Sequence, residues 1–316
     1  MKSKNVWIAA GVAAVLALPV SAAVGAEVKF SGRVALDLVL EDDDDNTRSL
    51  SDNGTARFQI DASQEAGEVT MFGRLALDMR DRIKSDGQPR FGPEYRDRYV
   101  GIRGNFGAVQ AGRMAGVLKN VEKDPYITTF LEARNTVAVG GGRYGSQSFV
   151  NDIIQYSNTL GGIGIKVQYN PTTDANGDSV NDAAILLTGK IGGADVWAGW
   201  NNAADSGDEN AKIGARMTIA KVAFTAQYEM RDGYVDGGPA NVRGDRLFLM
   251  GNLPFANGLS GNAAAGANFD SDDTWFRLAL NKALAKNAKL YTGVTFTNVD
   301  NGDNETLFGV GGELRF

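Results

Sequence analysis

From Glu27 to Leu40 the chain alternates between two kinds of position. Val28, Phe30, Gly32, Val34, Leu36, Leu38 and Leu40 fall on one parity, and Lys29, Ser31, Arg33, Ala35, Asp37 and Val39 on the other. A period of two gives a strand one apolar and one polar face, whereas a helix brings apolar groups together at three- and four-residue spacing. The alternation recurs with turn-forming residues between. It predicts strands at 27–40, 55–65, 68–81, 95–104, 107–113, 149–157, 163–170, 182–191, 194–201, 210–220, 222–230, 244–253, 259–269, 273–284, 287–298 and 304–316. Ala211, Ile213, Ala215, Met217 and Ile219 set against Lys212, Gly214, Arg216 and Thr218 show the pattern most plainly. In 194–201 and 244–253 the parity is open.

The connections also alternate. Ala66-Gly67, Asn105-Phe106, Gly192-Gly193 and Ala220-Lys221 are short; Glu41–Gly54, Arg82–Glu94, Met114–Ser148, Pro171–Asn181, Asn202–Glu209 and Asp232–Arg243 are long and rich in Asp, Asn and Gly. Short turns at one end and long loops at the other describe an all-β, up-and-down antiparallel meander. Alternation alone fits either a soluble sandwich or a membrane barrel, because it does not say which face meets water. Sixteen strands exceed a sandwich domain, and strands of ten or more residues suffice for a tilted membrane crossing. An even strand number lets the last strand pair with the first, which removes the edge that lipid cannot hydrogen-bond. A transmembrane antiparallel barrel of 16 strands is therefore expected.

The first residues read differently. Lys2 and Lys4 precede an apolar stretch from Ile8 to Val20, and Val24-Gly25-Ala26 is a small-residue cleavage site. This predicts a secretory signal peptide at 1–26, with cleavage after Ala23 as the alternative, and a single barrel domain at 27–316. Composition narrows the chemistry. With no Cys and no His there is no thiol nucleophile, imidazole base or zinc site, so an enzyme is not expected. A net charge of −6 argues against nucleic acid. No cofactor or metal is implied. Asp174 to Asp178 begins like a calcium loop but lacks Gly at its sixth position and Glu at its twelfth, where Ile185 stands. The acidic run Glu41 to Asp45 reads as a solvated loop tip, with a divalent-ion site shared with lipopolysaccharide as the sharper alternative.

The end of the chain, Thr306 to Phe316, places Phe308, Val310, Leu314 and Phe316 on one parity and finishes on an aromatic residue. This resembles the terminal strand of Gram-negative outer-membrane proteins, in which the final Phe and its partners are an assembly signal read by the barrel assembly machinery. Phe30-Ser31-Gly32-Arg33, Ala56-Arg57-Phe58, the stretch Arg96 to Arg113 and Asn151 to Ser157 follow one another as they do in the general bacterial porins. The resemblance implies a homotrimer of sixteen-stranded channels in outer-membrane lipid and lipopolysaccharide, passing small hydrophilic solutes and ions by passive diffusion. It also implies a long third loop folded into the pore, here Met114–Ser148; Lys123-Asp124-Pro125-Tyr126 stands where enterobacterial relatives carry Pro-Glu-Phe-Gly-Gly. A substrate-selective channel for phosphate or organic acids is the runner-up, and a secreted β-rich binding module or adhesin is the alternative from another class.

A porin's site is a field across a narrow passage. Parity puts Arg33, Arg57 and Arg74 on polar faces, and the resemblance matches Arg33, Arg57 and Arg96 to the family's basic wall. Arg98 is the alternative to Arg96 where the register is open, and Arg143 is a further candidate. The facing acids are expected from the loop: Glu122, Asp124 and Glu132, with Asp124 first because it precedes Pro125 in a turn. Acids of the loop and an acidic chain together predict weak cation preference at low salt. Phe30, Tyr169, Trp200, Tyr228, Phe276, Phe296, Phe308 and Phe316 are candidates for aromatic girdles.

Overall fold

A computed structural model describes residues 25–43, 48–52, 55–83, 89–134, 136–140, 144–145, 149–173, 179–203, 208–232, 244–300, 302 and 304–316. The strands are β1 Glu27–Asp43, β2 Thr55–Ala66, β3 Val69–Ile83, β4 Pro89–Gly104, β5 Gly107–Ala115, β6 Phe149–Leu160, β7 Ile163–Thr173 and β8 Ser179–Ile191. Then follow β9 Ala194–Ala203, β10 Asp208–Ile219, β11 Val222–Asp232, β12 Arg246–Pro254, β13 Leu259–Asn268, β14 Asp273–Ala285, β15 Ala288–Asn298 and β16 Glu305–Arg315. A further segment, Arg48–Asp52, pairs with β1 in the same register as β2, with Leu38 opposite Asp52 and Ala35 opposite Thr55. It is the outward continuation of β2, so the barrel has the expected sixteen strands.

Each strand pairs antiparallel with its sequence neighbours, and β1 closes on β16 from Arg33 opposite Arg315 to Asp43 opposite Glu305. Gly32 and Phe316 exchange backbone hydrogen bonds of 2.8 and 3.1 Å, so the last residue completes the seam. The predicted strands all form. They run further into the polar connections than their apolar alternation suggested: β4 begins at Pro89 instead of 95. Beyond the lipid-facing zone, ladder hydrogen bonds continue in water without needing an apolar face.

The faces are inverted relative to a soluble protein. Val34, Leu36, Leu38 and Leu40 of β1 point out and are exposed, while Arg33, Ala35, Asp37 and Val39 point in and are buried. The same holds around the barrel, where Phe308, Val310, Leu314 and Phe316 form an outer row on the closing strand. Phe30 and Phe316 lie near the short-turn end, and Trp200, Phe276, Phe296 and Phe308 toward the long-loop end, all exposed on the outside. Tyr169 is also exposed, and Tyr228 is half-buried against Phe269. Among the described residues no helix is long and apolar enough to cross a membrane; the strands make the crossing.

Candidate functional site

The connection between β5 and β6 turns inward and lies along the inner wall. Its first part seats Val117, Leu118 and Val121 against Ile153, Ala184, Leu186 and Trp197. Its middle packs Tyr126, Phe130 and Leu131 on Val39, Ala279 and Tyr291, and its later part packs Ala133 to Val139 on Phe248, Met250, Ala264 and Trp275. Two wall glycines make this docking possible by close approach. A Cβ at Gly199 would lie 2.3 Å from a Leu118 methyl, and one at Gly266 would lie 2.1 Å from the Ala138 Cβ.

Wall side chains then take up the loop's backbone groups. Val117 N–H donates to Gln168 of β7 at 2.9 Å, Phe130 N–H to Asp37 of β1 at 2.8 Å, and Gly140 N–H to Glu229 of β11 at 3.0 Å. Arg246 of β12 donates to the Thr136 carbonyl at 2.7 Å. Arg277 of β14 donates to the Leu131 carbonyl at 2.5 Å and to Asp124 at 2.9 Å, and its guanidinium lies over Tyr126 and Trp275. A non-regular segment must satisfy its polar backbone this way when it is buried in protein.

The loop therefore lies against β1 and β6–β16, and the wall opposite it, on β1–β4, carries the arginines. Arg33 and Arg57 are direct cross-strand partners. Asp78 of β3 bridges Arg57 at 2.8 Å and Arg96 at 2.5 Å, while Arg33 reaches Glu313 at 3.7 Å. Among the described residues, Arg33 Nε and Nη2 and Arg57 Nη2 have no hydrogen-bond partner. Arg74 is paired with Asp61 at 2.7 Å and lies lower on the same inner face, with Tyr99 beside it. The structure thus brings Arg33, Arg57 and Arg96 together, with Arg74 adjoining.

Arg98 departs from expectation. The β3–β4 register shifts between Leu75 and Leu77, leaving Arg96 and Asp97 opposite Ala76. This bulge sends Arg96 inward and turns Arg98 to the outer face, in register with Leu75 and Arg113. Arg143 lies outside the described residues.

The loop acids also differ from expectation. Asp124 is fully enclosed with Arg277, accepts from Tyr126 N–H and Ala133 N–H, and pins the loop instead of facing water. Glu122 is fully buried, and its carboxylate oxygens have no side-chain hydrogen-bond partner among the described residues. Burial raises its pKa above the usual carboxylate range, against the pull of the Lys212 ammonium. Glu132 bonds Arg134 and the Thr128 N–H, and of the three acids its side chain alone keeps some exposure, 16%. Turn chemistry placed Asp124 correctly in a turn, but a buried arginine partner 153 residues away is invisible to local sequence.

Several site residues were missed. Asp37, Asp78 and Arg277 sit between apolar neighbours, so parity marks them as inward. Their roles as bridge and clamp depend on partners that parity does not name. Lys119, on the loop, places its ammonium 4.6 Å from the Phe149 ring centroid, with the Arg96 guanidinium 4.3 Å from the same centroid.

The comparisons with known proteins agree with this geometry. An anion-selective porin from Comamonas acidovorans shares 16% identity at a TM-score of 0.69, covering 92% of this chain and 100% of that one. Salmonella typhi OmpF, solved in complex with daunomycin, shares 14% at a TM-score of 0.69, covering 92% and 98%. The trimer form of OmpT, an outer-membrane protein of Vibrio cholerae, shares 15% at a TM-score of 0.63, covering 92% and 100%. No curated protein matches the sequence. The Gram-negative porin family model matches residues 9–302. A family match over most of the chain, on a barrel shared with those three structures, shows that this protein belongs to the Gram-negative porins, channels of the outer membrane.

Proposed function

We propose that the protein is a general diffusion porin whose narrow passage favours small anions over cations of equal size. The observation that carries this reading is the asymmetry of accessible charge at the constriction. Among the described residues, Arg57 and Arg96 share Asp78, Arg33 has Glu313, which also holds Lys289 and Arg315, and Asp97 stands near Arg96. The loop acids expected to oppose it are buried at Glu122 and Asp124 or paired at Glu132. The cation preference expected from the sequence needs those acids facing water as well as an acidic chain. Arginine keeps its charge at any ordinary pH, which suits a fixed field. The passage is bounded by low-dielectric protein, so salt screens it less than the outer mouths. No covalent chemistry is involved.

Residues 1–26 serve as the export signal in this reading, and Phe316 with its outer row serves the assembly machinery. A homotrimer is proposed as well. Arg98 is exposed on the outer face, and an arginine on a lipid-facing strand costs about 2–4 kcal/mol at the bilayer midplane. That face is better covered by protein than by lipid. The long connection Arg82–Glu94 would be the arm that reaches the neighbour; its residues 84–88 lie outside the described set.

Two measurements on detergent-extracted protein test the reading. Proteoliposomes are expected to swell in isotonic small sugars and amino acids but not in a large polysaccharide, and native mass measurement is expected to give three chains. Swelling that is confined to one solute class would favour the selective-channel alternative, and a stable monomer would remove the trimer.

A further inference from the structure

Lys119 stands apart from the other cations around the passage. It is carried by the loop, whereas Arg33, Arg57 and Arg96 are carried by the wall. Its ammonium has no carboxylate within salt-bridge distance among the described residues, and its partner is the face of Phe149, the first residue of β6. That ring also has the Arg96 guanidinium 4.3 Å from its centroid and the Arg113 guanidinium at 5.9 Å. Stacking several cations around one aromatic ring gains ring attraction but accumulates repulsion. Arg96 in turn is bonded to Asp78, the acid that also holds Arg57. Lys119 is therefore the loop-side end of a chain of cations running through Phe149 into the basic wall.

We propose that Lys119 is a specificity-determining residue of the pore, whose ammonium adds to the Arg96 end of the basic wall when protonated and withdraws that charge when neutral. The inference rests on the anion-favouring reading above and deepens it. The charged groups facing Lys119 are Arg96 from β4, Arg113 across Phe149 from β5, and Arg134, Glu132 and Glu122 from the loop itself. Lys119 is half-buried. Burial, then Arg134 and Arg96, lower its pKa to about 6, with Glu132 and Glu122 pulling the other way. Arginine side chains keep their charge throughout this range, and Glu132 is bonded to Arg134. Lys119 is thus a cation at the passage whose charge changes near neutrality. The sign follows directly: below about pH 6 the charge is present and anion preference is higher, and above it the charge is lost.

The test is the reversal potential across a salt gradient as a function of pH, for the wild type, Lys119→Gln and Lys119→Arg. A unit charge roughly 7 Å from an ion's path changes its local concentration on the order of two- to threefold through water. The wild type is expected to raise its anion-to-cation permeability ratio by about that factor from about pH 7.5 to about pH 5. Lys119→Gln is expected to lack the step and stay at the low ratio. Lys119→Arg is expected to lack it as well but to stay at the high ratio, a rescue that a purely packing role would not give. A step that survives in Lys119→Gln, or an arginine variant that stays at the low ratio, would overturn the role of Lys119. A wild type without ion conductance would overturn the pore reading itself.

Discussion

Replacing Arg277 with methionine is expected to release the inserted loop and produce the largest loss of stability of any single change in the lumen. Arg277 is fully buried, and one guanidinium serves Asp124, the Leu131 carbonyl and Asn262 while lying over Tyr126 and Trp275. Removing it leaves the Asp124 carboxylate enclosed without its cation. Breaking a buried pair from one side typically costs about 3–5 kcal/mol. The loss should fall on loop docking more than on the barrel, whose ladders run all the way round. Larger and noisier single-channel currents are therefore expected, with a lower temperature for heat modification in detergent. Replacing both partners, Arg277→Met with Asp124→Leu, should recover much of that temperature, because no charge is left buried. Unchanged currents and unchanged heat resistance in Arg277→Met would show that the clamp does not hold the loop.

Single cysteines at adjacent positions 57 and 58 should behave as opposites. The chain has no cysteine of its own, so an introduced thiol is the sole target. Arg57 faces inward beside Asp78, while Phe58 is exposed on the outside next to Phe30. A negatively charged, water-soluble thiol reagent should react quickly with Arg57→Cys. It should cut the current and move the reversal potential toward cations, since a positive side chain has become a negative one. Phe58→Cys should resist that reagent, react with a lipid-soluble maleimide and keep its current. Equal labelling at both positions would mean a register wrong by one residue, which exchanges the two faces of a strand.

Most of the barrel was legible in the sequence because lipid on one side and water on the other enforce a period of two. Arg33, Arg57 and Arg74 could be placed inward on that ground alone. The legibility ended where the period broke. The bulge opposite Ala76 adds a residue on β4, and parity alone could not choose between Arg96 and Arg98. Strand ends beyond the lipid zone were read short, because nothing there demands an apolar face. The loop was the least legible part. Its length and position were plain, but its acids were read as water-facing when Asp124 is held by an arginine on β14. A carboxylate's role depends on what stands opposite, and here the partner comes from the far side of a barrel.

The most direct test of the account is the zero-current potential of single wild-type channels in a planar bilayer across a potassium chloride gradient. At low salt the potential should have the sign of chloride preference, and the preference should weaken as salt rises while remaining measurable because the passage is partly shielded from screening. Arg57→Ser should move the potential toward potassium and raise the conductance. A wild-type channel that prefers potassium, with a potential that Arg57→Ser leaves in place, would contradict a constriction governed by the arginine wall.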